Sequence, residues 1–260
     1  KSKYCLLSGN QSNPKTFDEC KYDPGGYFII NGNEKVIVCQ EQIAPNKTFV
    51  FSNSKASSKY SHVAEIKSTK NSANISKNLS IRYLSKENSY GRTLKINIPH
   101  VKVDVPILVV FRALGILKDR DILAFIYPDI DNVPQYLQTW IKPSFEEGEV
   151  VLTQDEAILY LLKNSVILGQ PKDIKLSEAK KIELFKGMLS RDLLPHIGPS
   201  FDKKALFLGY MINKLSKCYF SQIPFDDRDS YSNKRVDTPG RLLASLFRHF
   251  FNKTIKDMVK

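Results

Sequence analysis

Apolar residues alternate with polar ones in a few short runs of the first hundred residues and recur at helical spacing from about residue 106 onward. The run Gly26-Tyr27-Phe28-Ile29-Ile30, then Asn31-Gly32, then Glu34 to Gln40 predicts a β-hairpin. Asn-Gly suits a type I′ turn because both central residues take positive φ. Pro24-Gly25-Gly26 punctuates the chain just before it, and Thr48 to Phe51 predicts a further strand. Residues 52–60, rich in Ser, Lys and Asn, read as a loop. Three more strands are predicted: Ser61 to Lys67, Leu79 to Leu84 and Leu94 to Ile98. Their apolar positions alternate with basic ones, which implies a sheet with one wet, positively charged face.

The period then lengthens. Pro106 suits a first helical turn and Gly115 a position just past a helix end. Helices are expected over Asp121–Tyr127 and Gln135–Ile141. Thr153-Gln154-Asp155-Glu156 fits a capping box that opens a helix to about Lys163. Ser177 is placed to cap a helix to about Leu189. Lys204 to Tyr219 carries Leu206, Leu208, Met211, Ile212 and Leu215 on one face, and Leu242 to Val259 is similarly spaced. The polar segment Pro224 to Gly240 lies between them. Strands first and helices after argue an α+β fold.

Composition adds a charge question. The 260 residues carry 39 Lys and Arg against 27 Asp and Glu, a formal net charge of +12. Residues 51–120 hold 13 basic and 4 acidic side chains, residues 121–200 hold 8 and 12, and residues 201–260 hold 12 and 6. Two basic blocks around an acidic one suggest two surfaces with different partners, a polyanion among them. The longest apolar stretch, Pro106 to Gly115, is far short of the roughly 20 residues of a membrane span, so no membrane partner is expected. No secretory leader opens the chain, and it starts at Lys1 rather than Met, which implies a piece of a longer protein. Cys5, Cys20, Cys39 and Cys218 show no zinc spacing and read as reduced thiols. The five Asn-x-Ser/Thr sequons, at Asn10, Asn46, Asn74, Asn78 and Asn252, read as chance in an Asn/Ser/Lys-rich chain.

Asp226-Asp227-Arg228-Asp229, followed by Lys234-Arg235 and Asp237, is the densest charged cluster. Three readings stay open from the residues alone: a metal site on the carboxylates, phosphate contacts by the cations, or a solvated ion-pair network. The basic block between Lys55 and Lys102 is interleaved with Tyr60, Tyr83 and Tyr90, which fits base stacking or half-buried strand tyrosines. His62, His100, His196 and His249 are scattered, no phosphate-binding glycine loop is present, and Trp140 reads as packing.

Taken together, the motifs resemble the second-largest (β-like) subunit of multisubunit DNA-directed RNA polymerases, in the eukaryotic, archaeal and large-DNA-virus branch. Asp23-Pro24-Gly25-Gly26-Tyr27-Phe28-Ile29-Ile30-Asn31-Gly32-Asn33-Glu34-Lys35-Val36 is similar to that family's hairpin. Pro106 to Leu117 resembles its P-I-x-x-x-F-R-A-L-G-I segment. Leu194-Pro195-His196 and Lys204 to Leu215 resemble the LPH motif and the helix after it, and Asp226 to Gly240 resembles the D-D-R-D-x-x-x-x-K-R-x-D-x-x-G signature. The order is colinear over nearly the whole chain, though 68–78 and 164–176 depart from the family pattern.

The resemblance implies a mixed sheet of the protrusion with an inserted lobe of antiparallel strands followed by helices. Residues 1–45 would be the first part of the protrusion, 46–197 the lobe and 198–260 the second part of the protrusion. It implies template-directed nucleotidyl transfer by the whole enzyme, with Mg²⁺ held by the largest subunit and neither catalytic nor metal-binding residues in this stretch. Expected partners are DNA and the RNA–DNA hybrid, the largest and smaller polymerase subunits, and initiation factors on the lobe. Expected nucleic-acid contacts are Arg228, Lys234, Arg235 and Arg241. Pro24, Gly25, Gly26, Asn31, Gly32, Asp226, Asp227, Asp229, Asp237 and Gly240 form a structural signature. An intracellular location follows, in the nucleus, or in cytoplasm or virion for a viral protein. The alternative is a stand-alone basic interaction module without nucleic-acid function.

Overall fold

The computed structural model describes residues 22, 23, 25–53, 58–70, 76–165 and 177–259, so Pro24, Cys5, Cys20 and Lys55 lie outside the described residues. The fold is α+β and divides into two compact units: the described parts of Lys1–Gln42 with Arg235–Lys260, and Ile43–Lys234. The expected second boundary at 197/198 falls inside the second unit, because the helix that follows it packs there.

The second unit is built on an antiparallel sheet in the order β4 (Phe49–Ser52), β5 (Tyr60–Ser68), β6 (Lys77–Leu84), β7 (Leu94–Asn97) and β8 (Val105–Pro106). Register sets the two faces. Ala64 pairs with Ile81, Ile81 with Ile96, and Ile96 with Val105, which gives one continuous apolar row. Helix α1 (Ile107–Ala113) lies against that face, and every one of its seven residues is buried. Six of the seven are apolar, and the buried Arg112 guanidinium donates to the Gly148 and Val151 carbonyls and pairs with Asp119. Helices α2 (Asp119–Ile126), α3 (Gln135–Gly148), α4 (Gln154–Lys163), α5 (Glu178–Asp192) and α6 (Phe201–Tyr219) complete the layer. α1 packs on α3 and α4, and α6 packs on α2, β4 and β5.

Local chemistry explains several ends. Glu156 N–H donates to Thr153 Oγ1 at 3.3 Å and the Glu156 carboxylate accepts from Thr153 N–H at 3.2 Å, so the capping box at α4 forms as expected. Ser177 precedes α5 but its side chain makes no cap bond. Helix α3 runs on to Gly148 through Pro143, seven residues past the expected end.

The other face of the sheet differs from expectation. Arg82 sits directly across from Lys95, a like-charge pair that is unfavourable alone. Each is neutralised: Arg82 Nη1 lies 3.1 Å from Asp104, and Lys95 Nζ lies 2.5 Å from Glu147. Arg92 pairs with Glu87 and Lys77 with Asp192. Four cations of the basic block, Lys77, Arg82, Arg92 and Lys95, are therefore ion-paired, while Lys59, Lys70, Lys86 and Lys102 are exposed.

In the first unit, β1 (Phe28–Ile30) pairs with β2 (Asn33–Lys35) around Asn31 and Gly32, whose φ values of 53° and 76° are those of the expected turn. β3 (Gln40–Ile43) pairs with β9 (Lys234–Asp237), and α7 (Pro239–Val259) follows. Among the described residues of 22–42 and 235–259, none is buried.

Candidate functional site

The charged cluster beginning at Asp226 is folded into the second unit. β4 is an edge strand, and an edge exposes unpaired N–H and C=O groups. Asp226 closes it at Val50: its N–H donates to the Val50 carbonyl at 3.1 Å, and its carboxylate accepts from Val50 N–H at 2.8 Å. The same carboxylate oxygen accepts from Lys214 Nζ at 2.7 Å, and Lys214 also donates to the Thr48 carbonyl. Thus α6, the edge of β4 and the signature segment meet on one half-buried ion pair.

The neighbouring residues extend the fastening. Asp227 accepts from the Asp229 N–H at 2.9 Å in a local turn. Arg228 Nη2 lies 2.9 Å from Glu65, and its guanidinium stacks 4.0 Å from the Phe51 ring centroid. Asn233, 7% exposed, donates to the Asp227 carbonyl, accepts from Lys47 Nζ at 2.7 Å, and its carbonyl accepts from Ala44 N–H. Sequence reasoning passed over Asn233, Glu65 and Lys214. A lone Asn in a polar loop carries no periodicity, and the partners lie far away along the chain.

In the first unit Asp237 binds Gln42 Nε2 at 2.6 Å and Arg241 Nε at 3.1 Å, joining β3 to the opening of α7. Arg235 is exposed on β9 and Lys234 is half-buried. Gly25 and Gly26 take φ of 67° and 85°, a left-handed conformation costly for other residues, and Gly25 N–H donates to Asp23 at 2.7 Å. Gly240 has open space around it, and nothing there requires a glycine.

Within the cluster, Asp226 is bound to an ammonium and Asp227 to a backbone N–H. Among the described residues no group of three or more His, Cys, Asp or Glu could hold a metal ion. The tyrosines are also accounted for. Tyr83 is buried against Trp140 and Tyr219, Tyr60 donates to Asp104, and Tyr90 is exposed. Trp140 is packing, as expected.

The histidines stay apart in role. His62 stacks on Phe225 and meets Tyr219 edge-on, His196 meets Ser68 at 2.7 Å, and His100 meets Asp192 at 3.1 Å. Burial holds His62 and His196 below the usual imidazole range. The Asn46 side chain is occupied by the Thr69 N–H and carbonyl, so that sequon is engaged within the fold. No helix among the described residues is long and apolar enough to cross a membrane.

Asp226, Lys214 and Val50 thus tie the signature segment to the sheet edge. The family model described as RNA polymerase Rpb2, domain 2, matches residues 44–237, nearly the span of the second unit. The DNA-directed RNA polymerase II subunit RPB2 of Eremothecium gossypii is 42% identical over 266 residues, covering 100% of this chain. The DNA-directed RNA polymerase II subunit 2 of Arabidopsis thaliana is 36% identical over 99% of the chain, and subunit Rpo2 of Saccharolobus shibatae 35% over 91%. The chain belongs to this family, the second-largest subunit of multisubunit DNA-directed RNA polymerases. It spans 19–22% of the length of these relatives.

Proposed function

We propose that this chain forms part of one wall of the DNA cleft of an RNA polymerase, contacts the nucleic-acid backbone and offers a docking face to initiation factors. Residues 43–234 would be the lobe, and the remainder part of the protrusion. The enzyme performs nucleotidyl transfer, with Mg²⁺ on its largest subunit, and this stretch supplies shape and charge. The site of action is the nucleus, or the cytoplasm or virion for a viral enzyme.

One observation carries the reading. Two acids of the signature are engaged inside the fold, Asp226 by Lys214 and Val50, and Asp237 by Gln42 and Arg241, and Arg235 is exposed. Cations presented this way neutralise phosphates and release counterions whatever the sequence. Arg228, Lys234, Arg235 and Arg241 are the candidate contacts, and the adjacent pair Lys234 and Arg235 is tested first.

The test uses polymerase assembled with the full-length subunit. Lys234→Ala with Arg235→Ala should weaken binding to unrelated duplexes equally and flatten the slope of log affinity against log salt by about two. An unchanged slope would remove these residues as contacts. A subunit that binds no DNA partner in any assembly would favour the stand-alone module.

A further inference from the structure

Helix α7 has two contrasting faces. At about 100° per residue, Arg241, Ser245, Arg248, Asn252 and Lys256 fall on one stripe, with His249 and Lys253 beside it. At 1.5 Å per residue, Arg241 to Lys256 spans about 22 Å. Asp257 is the one acid of the helix. Around the opposite side stand Leu243, Phe247, Phe250, Phe251 and Met258, all more than 40% exposed, with Phe247 and Phe251 stacked at 5.7 Å.

Apolar exposure in this unit is not confined to the helix: Phe28, Ile29 and Ile30 of β1, with Val36, Val38 and Val236, are also 47–73% exposed. Strands and helix that share such exposure are half of a protein core, not a lone membrane-surface helix, for which only a helical face is needed. The chain is about a fifth of its relatives' length, which leaves ample polypeptide to cover that side. With the apolar side covered by protein, the basic stripe faces outward.

We infer that the α7 stripe of Arg248, Asn252 and Lys256, continuing from Arg241, is a ridge that lies along the phosphate backbone of duplex DNA. This rests on the polymerase reading above and extends the contact from Lys234 and Arg235 to the helix. A 22 Å ridge runs beside about two-thirds of a DNA turn of 34 Å, and its contacts are indifferent to sequence.

The experiment uses polymerase carrying the full-length subunit with Arg248→Gln and Lys256→Gln. Assembly is checked by native mass, and duplex binding is measured from 50 to 200 mM salt. Over that range wild-type affinity should fall about tenfold further than the variant's, because two phosphate contacts are missing. Asn252→Cys bearing a photoreactive group should crosslink to DNA. Equal salt dependence with no crosslink, while the Lys234→Ala, Arg235→Ala enzyme shows a flattened slope, overturns the ridge alone. Unchanged slopes in both overturn the polymerase reading of these cations too. Failure of the variant to assemble overturns the ridge in favour of a subunit interface. Flotation with phosphatidylserine vesicles, lost in the variant while DNA binding is unchanged, overturns it in favour of a membrane surface.

Discussion

Lys204 is fully buried at the start of α6, and its ammonium donates to the Leu189 and Ser190 carbonyls at 2.8 and 2.5 Å, at the end of α5. Carbonyls at a helix C-terminus welcome a cation, yet burial lowers the lysine pKa to about 8, with the Asp192 carboxylate opposing the fall. The folded form therefore holds this proton less tightly than the unfolded chain. Stability gained from this group is absent below pH 8 and grows as pH rises from about 8 toward 10.5. A neutral amine still has two N–H donors for the two carbonyls. Comparing chemical unfolding of the chain with that of Lys204→Met isolates the effect. The wild type should gain on the order of 3 kcal/mol relative to the variant between pH 7.5 and 10.5. Parallel pH profiles would refute the assignment. Nothing in the sequence marked this residue, since Lys203 and Lys204 read alike until the fold buries one.

Elements whose signal is local were legible, and elements whose signal is distant were not. Asn31-Gly32 and Thr153 with Glu156 specify a turn and a cap within a few residues, and both form. α1 was legible from its six apolar residues, whereas the burial of its Arg112 depends on the distant Gly148 and Val151 carbonyls. β9 was missed inside a segment read as polar, because its partner β3 lies nearly two hundred residues away. α3 outran its expected end because Pro143 is tolerated within it, packed near Gly91. The close crossing of α2 and α6 is likewise invisible in sequence. A Cβ at Gly209 would collide with the Phe125 carbonyl, which is backbone and cannot swing aside. Gly209→Ala should force these helices apart and cost about 3 kcal/mol, read as a fall in the denaturant midpoint. At Gly148 the obstacle is Leu108, whose Cβ lies 2.6 Å away and moves only with its backbone. A loss at Gly209 of less than about 1 kcal/mol would contradict the crossing.

At the scale of the molecule, one unit owns the core. The buried hydrophobic residues all fall between Ala44 and Cys218, and the described parts of 22–42 and 235–259 contribute none. Local stability tracks such burial. In the isolated chain, amides of α1 and β6 should exchange at least about a thousandfold more slowly than those of α7, and equal protection would show that α7 is covered within this chain. The candidate site was half legible: the signature was found, but its acids are fastenings whose partners, Val50, Lys214 and Gln42, only the fold reveals. Of the 39 Lys and Arg, Arg82, Lys95 and Arg228 are held by carboxylates, which leaves the net charge unchanged. What remains is the claim that this stretch faces nucleic acid in the assembled enzyme. An iron chelate tethered at Arg235→Cys, with the exposed Cys39 changed to Ser, tests it in polymerase bound to duplex template. The account predicts strand scission confined to a short window of DNA. Scission no greater than from a chelate at the exposed Leu184 would contradict it.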